Sequence, residues 1–391
     1  MQRAYGCKGA RPVVAPPIRH RLWIPRRGIP VYNDGKIQEA PMVNTAATIR
    51  AGMVRTLFPQ GIPRLWSPPL CHYTPRGRID RGRIRAHLAH LAPHVKTHLI
   101  PGSTGDGWEL SREEIDELLE FVIRETRDLG VRILIGVLRP DGDEARRDLT
   151  GAVEWLKALT GISDPEGALS AAGVCGFTVC APRGRDLSQD YIKEKIAAIL
   201  DLGHPTALYQ LPQITGNEIA PETLGALAAG HGNFYLFKDT SGRDAVSLSG
   251  VDLGGVFTVR GAEGDYARWY RGVPGGHYDG FLLGSANCFA HHYADMIHAA
   301  DRGRLEEAEA LSGRLTRVVN KAMEKAGKIP FGNAFANSNK AFDHFFAHGP
   351  EALKKPSPMT HSGNPLPDEY VKIAGDLLED EGFMPERGYL G

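Results

Sequence analysis

PTALYQLPQITGNEIAPETLGALAAGHGNFYLFK, residues 205–238, is the stretch whose reading decides the fold. Two short apolar runs, PTALYQL and NFYLFK, flank a segment from Pro221 to Ala229 with helical pattern. Both runs are apolar at nearly every position, as strands covered on both faces are, and a strand–helix–strand unit of this length makes a parallel pair. The same alternation extends outward in both directions. Towards the N-terminus stand RLWSPPL, THLIP, VRILIGV and VCGFTV; towards the C-terminus, VFTV and YDGFLLG. Eight such units in about 240 residues predict an α/β fold, a closed (β/α)8 TIM barrel. A doubly wound open sheet is the competing arrangement. It would carry a glycine-rich phosphate loop after its first strand, and no GxGxxG or P-loop pattern stands there.

Helix signals support the alternation. Helices are expected near Asp80–Leu91, from Ser111 to about Gly130, and over Glu144–Leu159, Ser188–Leu202, Asp265–Arg271 and Asn287–Ala300. Ser111 and Glu114 have capping-box spacing ahead of the stripe Ile115, Leu118, Leu119, Val122 and Ile123. The segment Thr160–Ala172, rich in Gly, Ser, Asp and Pro, reads as a long loop. Helical pattern continues over Leu305–Ala326, Asn333–Ala347 and Asp368–Asp380, which predicts a C-terminal helical extension packed on the barrel or on a neighbouring subunit. The expected organisation is a basic, poorly ordered extension over 1–58, the barrel over 59–303 and the helical extension over 304–391.

The basic extension rests on composition. Residues 1–33 hold seven Lys or Arg, several prolines and no Asp or Glu, without the continuous apolar segment of a secretory signal. Met42 and Met53 are alternative starts within this region. Over all 391 residues, Lys+Arg and Asp+Glu are both 46, so no global field points to nucleic acid or a membrane surface, and small-molecule work is the expectation. Five scattered cysteines without a CxxC pair are typical of reduced thiols, so a cytoplasmic protein is expected, with no zinc site or disulfide framework. No run approaches the apolar length of a membrane span. No metal cluster or cofactor motif is read, and a hydride-transfer enzyme is disfavoured by the missing dinucleotide fingerprint.

Functional groups of such a barrel sit at the C-terminal ends of its strands. Those ends read GSTGD (Gly102–Asp106) after the second strand, YQLP (Tyr209–Pro212) after the fifth and Lys238 at the sixth. GAEGD (Gly261–Asp265) follows the seventh and GSAN (Gly284–Asn287) the eighth. The hydroxyls and backbone donors of GSTGD suit a small anion such as a carboxylate, though they equally suit a plain turn before a helix. Lys238 stands between an apolar strand and a polar turn. It is either half of an ion pair, with Asp239 or Glu263, or an amine whose apolar surroundings favour the neutral, nucleophilic form. Asp239, next in the strand, should face the opposite side.

Together these landmarks resemble the dihydrodipicolinate synthase and N-acetylneuraminate lyase family. GSTGD is similar to its G-[ST]-T-G-E loop, YQLP to its Y-N-x-P and FKDTSG to its lysine strand, and the likeness spans about residues 60–345. The resemblance implies class I chemistry on a 2-oxo acid such as pyruvate. Lys238 would form a Schiff base, Tyr209 would shuttle protons, and Ser103 and Thr104 would hold the substrate carboxylate. Gly261, Gly284 and Ser285 would contact the rest of the substrate, with Arg183 a further candidate for its tail. It also implies a homotetramer, and with no cofactor motif in the sequence no cofactor is expected. The chain departs from the synthase branch, with Gln213 and Ile214 where an arginine follows Y-N-x-P and CAPRGRD where a second tyrosine stands. The expectation is therefore a lyase, an aldolase or dehydratase of a 2-keto-3-deoxy sugar acid or sialic-acid-like substrate. Alternatives are a hydratase-aldolase releasing pyruvate from an aromatic substrate, to which His291, His292 and Tyr293 give no answer, and a binding or regulatory member without turnover. The synthase itself is disfavoured.

Overall fold

The computed structural model describes residues 45–391. Eight parallel strands run β1 (Leu65–Trp66), β2 (Thr97–Ile100), β3 (Arg132–Val137), β4 (Val174–Cys180), β5 (Thr206–Gln210), β6 (Phe234–Asp239), β7 (Phe257–Arg260) and β8 (Gly280–Leu282). Neighbours pair in chain order from β2 to β8, and β8 pairs with β1. The ring closes where Ser67, just past β1, bridges His98 of β2 in parallel. All eight strands therefore fall in the runs that the sequence marks. Their buried faces on both sides explain why those runs lack alternation.

Side chains fill the barrel rather than leaving a channel. Trp66, Leu99, Leu134, Ala207, Leu236, Val259 and Leu282 form the inner cluster. The helices outside bury a larger apolar shell, to which Ile115, Leu118, Leu119 and Val122 contribute the predicted stripe. That helix, Arg112–Glu125, has the expected capping box, with the Ser111 hydroxyl accepting from Glu114 N–H and the Glu114 carboxylate accepting from Ser111 N–H.

Two expectations about organisation are corrected. The segment Thr160–Ala172 is not a single loop. Pro165–Ala171 is a helix whose N-cap Asp164 accepts from Gly167 N–H and whose first residue is proline, a combination that starts helices even in a turn-rich composition. The predicted extension over 1–58 lies largely outside the described residues, but its last part is ordered: Thr45–Leu57 is a helix. Its Arg50, 1 % exposed, donates to the carbonyls of Ala228 (2.6 Å), His231 (2.9 Å) and Phe234 at the entry to β6. Phe58 then packs edge-on against Trp66 and, tilted, against Tyr235, joining the inner cluster of the barrel. Met53 lies inside this helix, and a chain begun there would lack Arg50.

The C-terminal helices Leu305–Ala326, Ala334–His348 and Asp368–Asp380 fall where the pattern places them. They pack on the barrel's own helices through a second apolar cluster containing Phe289, Leu315, Phe342 and Leu378. Among the described residues, no helix is long and apolar enough to cross a membrane.

Candidate active site

β5 and β6 are in register, with Tyr209 opposite Lys238, so 29 residues of chain bring the two side chains together on the inner face. The Lys238 ammonium lies 3.9 Å from the centre of the Tyr209 ring. Lys238 is 4 % exposed, and among the described residues no carboxylate comes within ion-pair distance of it. Asp239 faces away, as its place in the strand requires. It accepts from Ser241 N–H at 2.8 Å and from the Tyr278 hydroxyl at 3.2 Å. The Glu263 carboxylate is held elsewhere. It accepts from the hydroxyl of Ser285 at 2.6 Å, the N–H of Ser285 at 3.0 Å and the hydroxyl of Tyr266 at 2.9 Å. Burial raises its pKa above the usual glutamate range, against the pull of these donors and of Lys238.

The loop after β2 reaches the same place. The Ser103 hydroxyl lies 3.4 Å from the Tyr209 hydroxyl and accepts from the Trp108 indole N–H at 2.9 Å. Gly284 approaches the loop so closely that a Cβ there would stand 2.9 Å from the Thr104 hydroxyl. A Cβ on Gly261 would stand 2.7 Å from Cε of Lys238, so that glycine makes room for the lysine. Lys238, Tyr209, Ser103, Thr104, Gly261 and Gly284 are thus brought together at the C-terminal mouth of the barrel. Ser285 adjoins them, its hydroxyl also bonded to Tyr293 at 2.7 Å. Arg183 stands apart: it is exposed, and its Nε donates to the Ile214 carbonyl at 3.1 Å.

Three groups escaped the sequence reading. Thr240, two residues past Lys238, is 6 % exposed with a buried hydroxyl that has no hydrogen-bond partner among the described residues. A Cβ on Gly261 would meet that hydroxyl at 2.5 Å, so it shares the space beside Lys238. The K-x-T spacing alone could have flagged it, since positions two apart share a strand face. Trp108 and Lys340 gave no local signal, because their partners are set by the fold.

His72, His87 and Asp343 form a buried trio with ligand atoms within 4.8 Å of one another. The groups already satisfy each other. The Asn287 carbonyl, 2.8 Å from His87 Nε2, calls for a proton there, which leaves His87 Nδ1 to accept from His72 Nε2 at 3.1 Å. Asp343 is paired with Arg83 and accepts from the Tyr389 hydroxyl at 2.9 Å. Burial opposes ionisation of Asp343, yet Arg83 and the imidazoles hold its carboxyl well below the usual range. A dication would have to displace the Arg83 guanidinium, so the trio suits a neutral buried network better than a metal. His291 and His292 line a separate surface cavity of about 250 Å³ with His90, His94 and Phe383, away from Lys238.

This arrangement matches a known family. The model of the dihydrodipicolinate synthetase family aligns with residues 166–337, which include Tyr209, Lys238, Gly261 and Gly284. Over this stretch, less than half of its length, the chain is similar to the dihydrodipicolinate synthetase family. A curated relative, 4-hydroxy-tetrahydrodipicolinate synthase of Geotalea uraniireducens, is 22 % identical over 266 residues, 68 % of this chain and 84 % of that protein. Among solved structures, a 2-keto-3-deoxygluconate aldolase variant of Sulfolobus solfataricus superposes with a TM-score of 0.61 at 20 % identity, covering 81 % of this chain and 96 % of that one. A prophage protein of the dihydrodipicolinic acid synthase family from E. coli K12, solved with pyruvate, gives 0.61 at 19 % identity over 82 % and 98 %. Likeness at this level shows the barrel fold, shared by lyases and synthases of the family.

Proposed function

We propose that the protein is a class I lyase that forms a Schiff base between Lys238 and the ketone of a 2-oxo acid. One observation carries the reading: a lysine buried at the catalytic mouth, without a carboxylate partner among the described residues, against the ring of Tyr209. The amine adds to C2 of the substrate, water leaves, and the protonated imine withdraws electrons from C3. Bond cleavage or loss of water at C4 then passes through an enamine. Tyr209 moves the protons, with its hydroxyl next to that of Ser103. Ser103 and Thr104 receive the carboxylate, and the Thr240 hydroxyl shares the space beside Gly261 with the Lys238 side chain.

The preferred substrates are 2-keto-3-deoxy sugar acids or sialic-acid-like acids, cleaved or dehydrated. Support comes from the aldolase among the structural neighbours and from the loop after β5. There Gln213 occupies the position of the synthase arginine and spends its amide N–H on the Thr240 carbonyl at 2.9 Å. The name of the curated relatives favours the synthase as the second reading. The proposal extends to a cytoplasmic homotetramer, the assembly that sedimentation would measure.

The test is to incubate the protein with pyruvate, reduce with borohydride and map the adduct by mass spectrometry. A pyruvyl mass on Lys238 is expected. No adduct with any 2-oxo acid would favour a binding member without turnover. Addition of aspartate semialdehyde to the pyruvate-loaded enzyme separates the two catalytic readings, since only the synthase condenses it.

A further inference from the structure

The reverse side of the Ser103–Thr104 loop carries a charge that the chemistry above does not use. Asp106 ends the turn Ser103–Gly105 in the left-handed region, with φ 59°, and its N–H donates back to the Ser103 carbonyl at 3.3 Å. Its carboxylate is 2 % exposed and points away from solvent onto Lys340 of the helix Ala334–His348, 2.8 Å distant and 1 % exposed. The Tyr73 hydroxyl donates to the same carboxylate oxygen at 3.0 Å, and the Lys340 ammonium sits 4.5 Å from the centre of the Tyr73 ring. Asn333, the N-cap of that helix, also reaches the loop, its amide donating to the Ser103 carbonyl at 3.3 Å. The C-terminal helix therefore backs the loop with a cation and an amide.

We infer that Lys340 is a positioning residue for the substrate carboxylate, acting through Asp106: it neutralises a buried anion that would otherwise stand directly behind an anion-binding loop. The inference rests on the reading of Ser103 and Thr104 as the carboxylate site. In a poorly solvated site, like charges separated by a few residues of loop repel strongly and are little screened by salt. With Lys340 in place, the pair presents no net charge to the incoming acid. Without it, Asp106 opposes binding before any chemistry begins. The effect therefore falls on binding, while the imine-forming groups Lys238 and Tyr209 are untouched.

The experiment is borohydride trapping on Lys238 over a range of pyruvate concentrations, using wild type, Lys340→Met, Asp106→Asn and the double variant, each checked for folding by circular dichroism. Lys340→Met is expected to raise half-saturating pyruvate roughly tenfold or more, with little change in the trapping rate at saturation. The double variant, which again has no net charge behind the loop, is expected to return to within about threefold of wild type. A double variant as impaired as Lys340→Met, or an unaffected Lys340→Met, overturns the inference and indicates a purely structural pair. Should Lys340→Met fail to fold, Asp106→Asn decides: half-saturation no higher than wild type supports the charge argument, and a tenfold rise overturns it. If wild type itself traps no 2-oxo acid, the proposed function fails and this inference falls with it. That result differs from a wild type that traps normally alongside an unaffected Lys340→Met.

Discussion

Lys238 and Lys340 are nearly equally buried, 4 % and 1 % exposed, yet their surroundings are opposite. Lys340 meets a carboxylate at 2.8 Å, whereas Lys238 faces a phenol ring and the closely packed Gly261. A buried lysine that meets a carboxylate holds two segments together. One that lacks such a partner has no ion pair to maintain and can serve chemistry. What distinguishes a structural lysine from a candidate nucleophile here is the partner and not the burial.

Removing each lysine in turn should have opposite consequences. Lys238→Ala should abolish turnover, by at least about 10⁴-fold in kcat, and abolish borohydride trapping while leaving thermal stability unchanged or slightly higher. Lys340→Met should do the reverse for stability. Removing one partner of a buried pair costs about 3–5 kcal/mol, measurable as a lower urea midpoint. If Lys238→Ala destabilised the protein as much as Lys340→Met, Lys238 would be a structural cation after all.

A third variant sharpens the Lys238 side alone. Tyr209→Phe keeps the ring against the ammonium and removes the hydroxyl, so kcat should fall roughly 10²- to 10³-fold with trapping of the imine still detectable. Loss of less than about threefold would remove Tyr209 from the proton path.

The smallest expected effect concerns the buried imidazoles on the other side of the barrel. Burial lowers the pKa values of His72 and His87 and brings that of His98 down to about 3. A histidine depressed in the folded state contributes stability that is present above its unfolded pKa, near 6.5, and is lost as pH falls towards the folded value. Unfolding free energy should therefore drop between pH 6.5 and pH 4, by about 2 kcal/mol at pH 5 for His98 alone. His98→Asn should flatten that part of a pH series of denaturant titrations. An unchanged slope would mean that His98 is already protonated in the native state.

Much of this was legible before the fold was seen, for a local reason. Strands buried on both faces leave unbroken apolar runs, and capped helices leave Ser, Asp and Pro at their starts. The eight strands and most helices could thus be read from short windows. The same holds for GSTGD, YQLP and Lys238, since strand ends carry the chemistry of a barrel. The helices Thr45–Leu57 and Pro165–Ala171 were hidden because composition outweighed the buried Ala46 and Arg50 of the first and the Asp164 cap of the second. Arg183 was a candidate by loop position, but its Nε is taken up by the Ile214 carbonyl.

The order of elements and the choice of candidate reactive groups were readable from residues a few positions apart. What only the tertiary structure decided was which charges meet. Asp106 finds Lys340 across 234 residues, Ser103 finds the Trp108 indole across a turn that folds back on itself, and Lys238 finds no carboxylate among the described residues. Those pairings depend on distances of a few ångströms that no sequence spacing encodes, and they separate the lysine that holds the loop from the lysine proposed to meet the substrate.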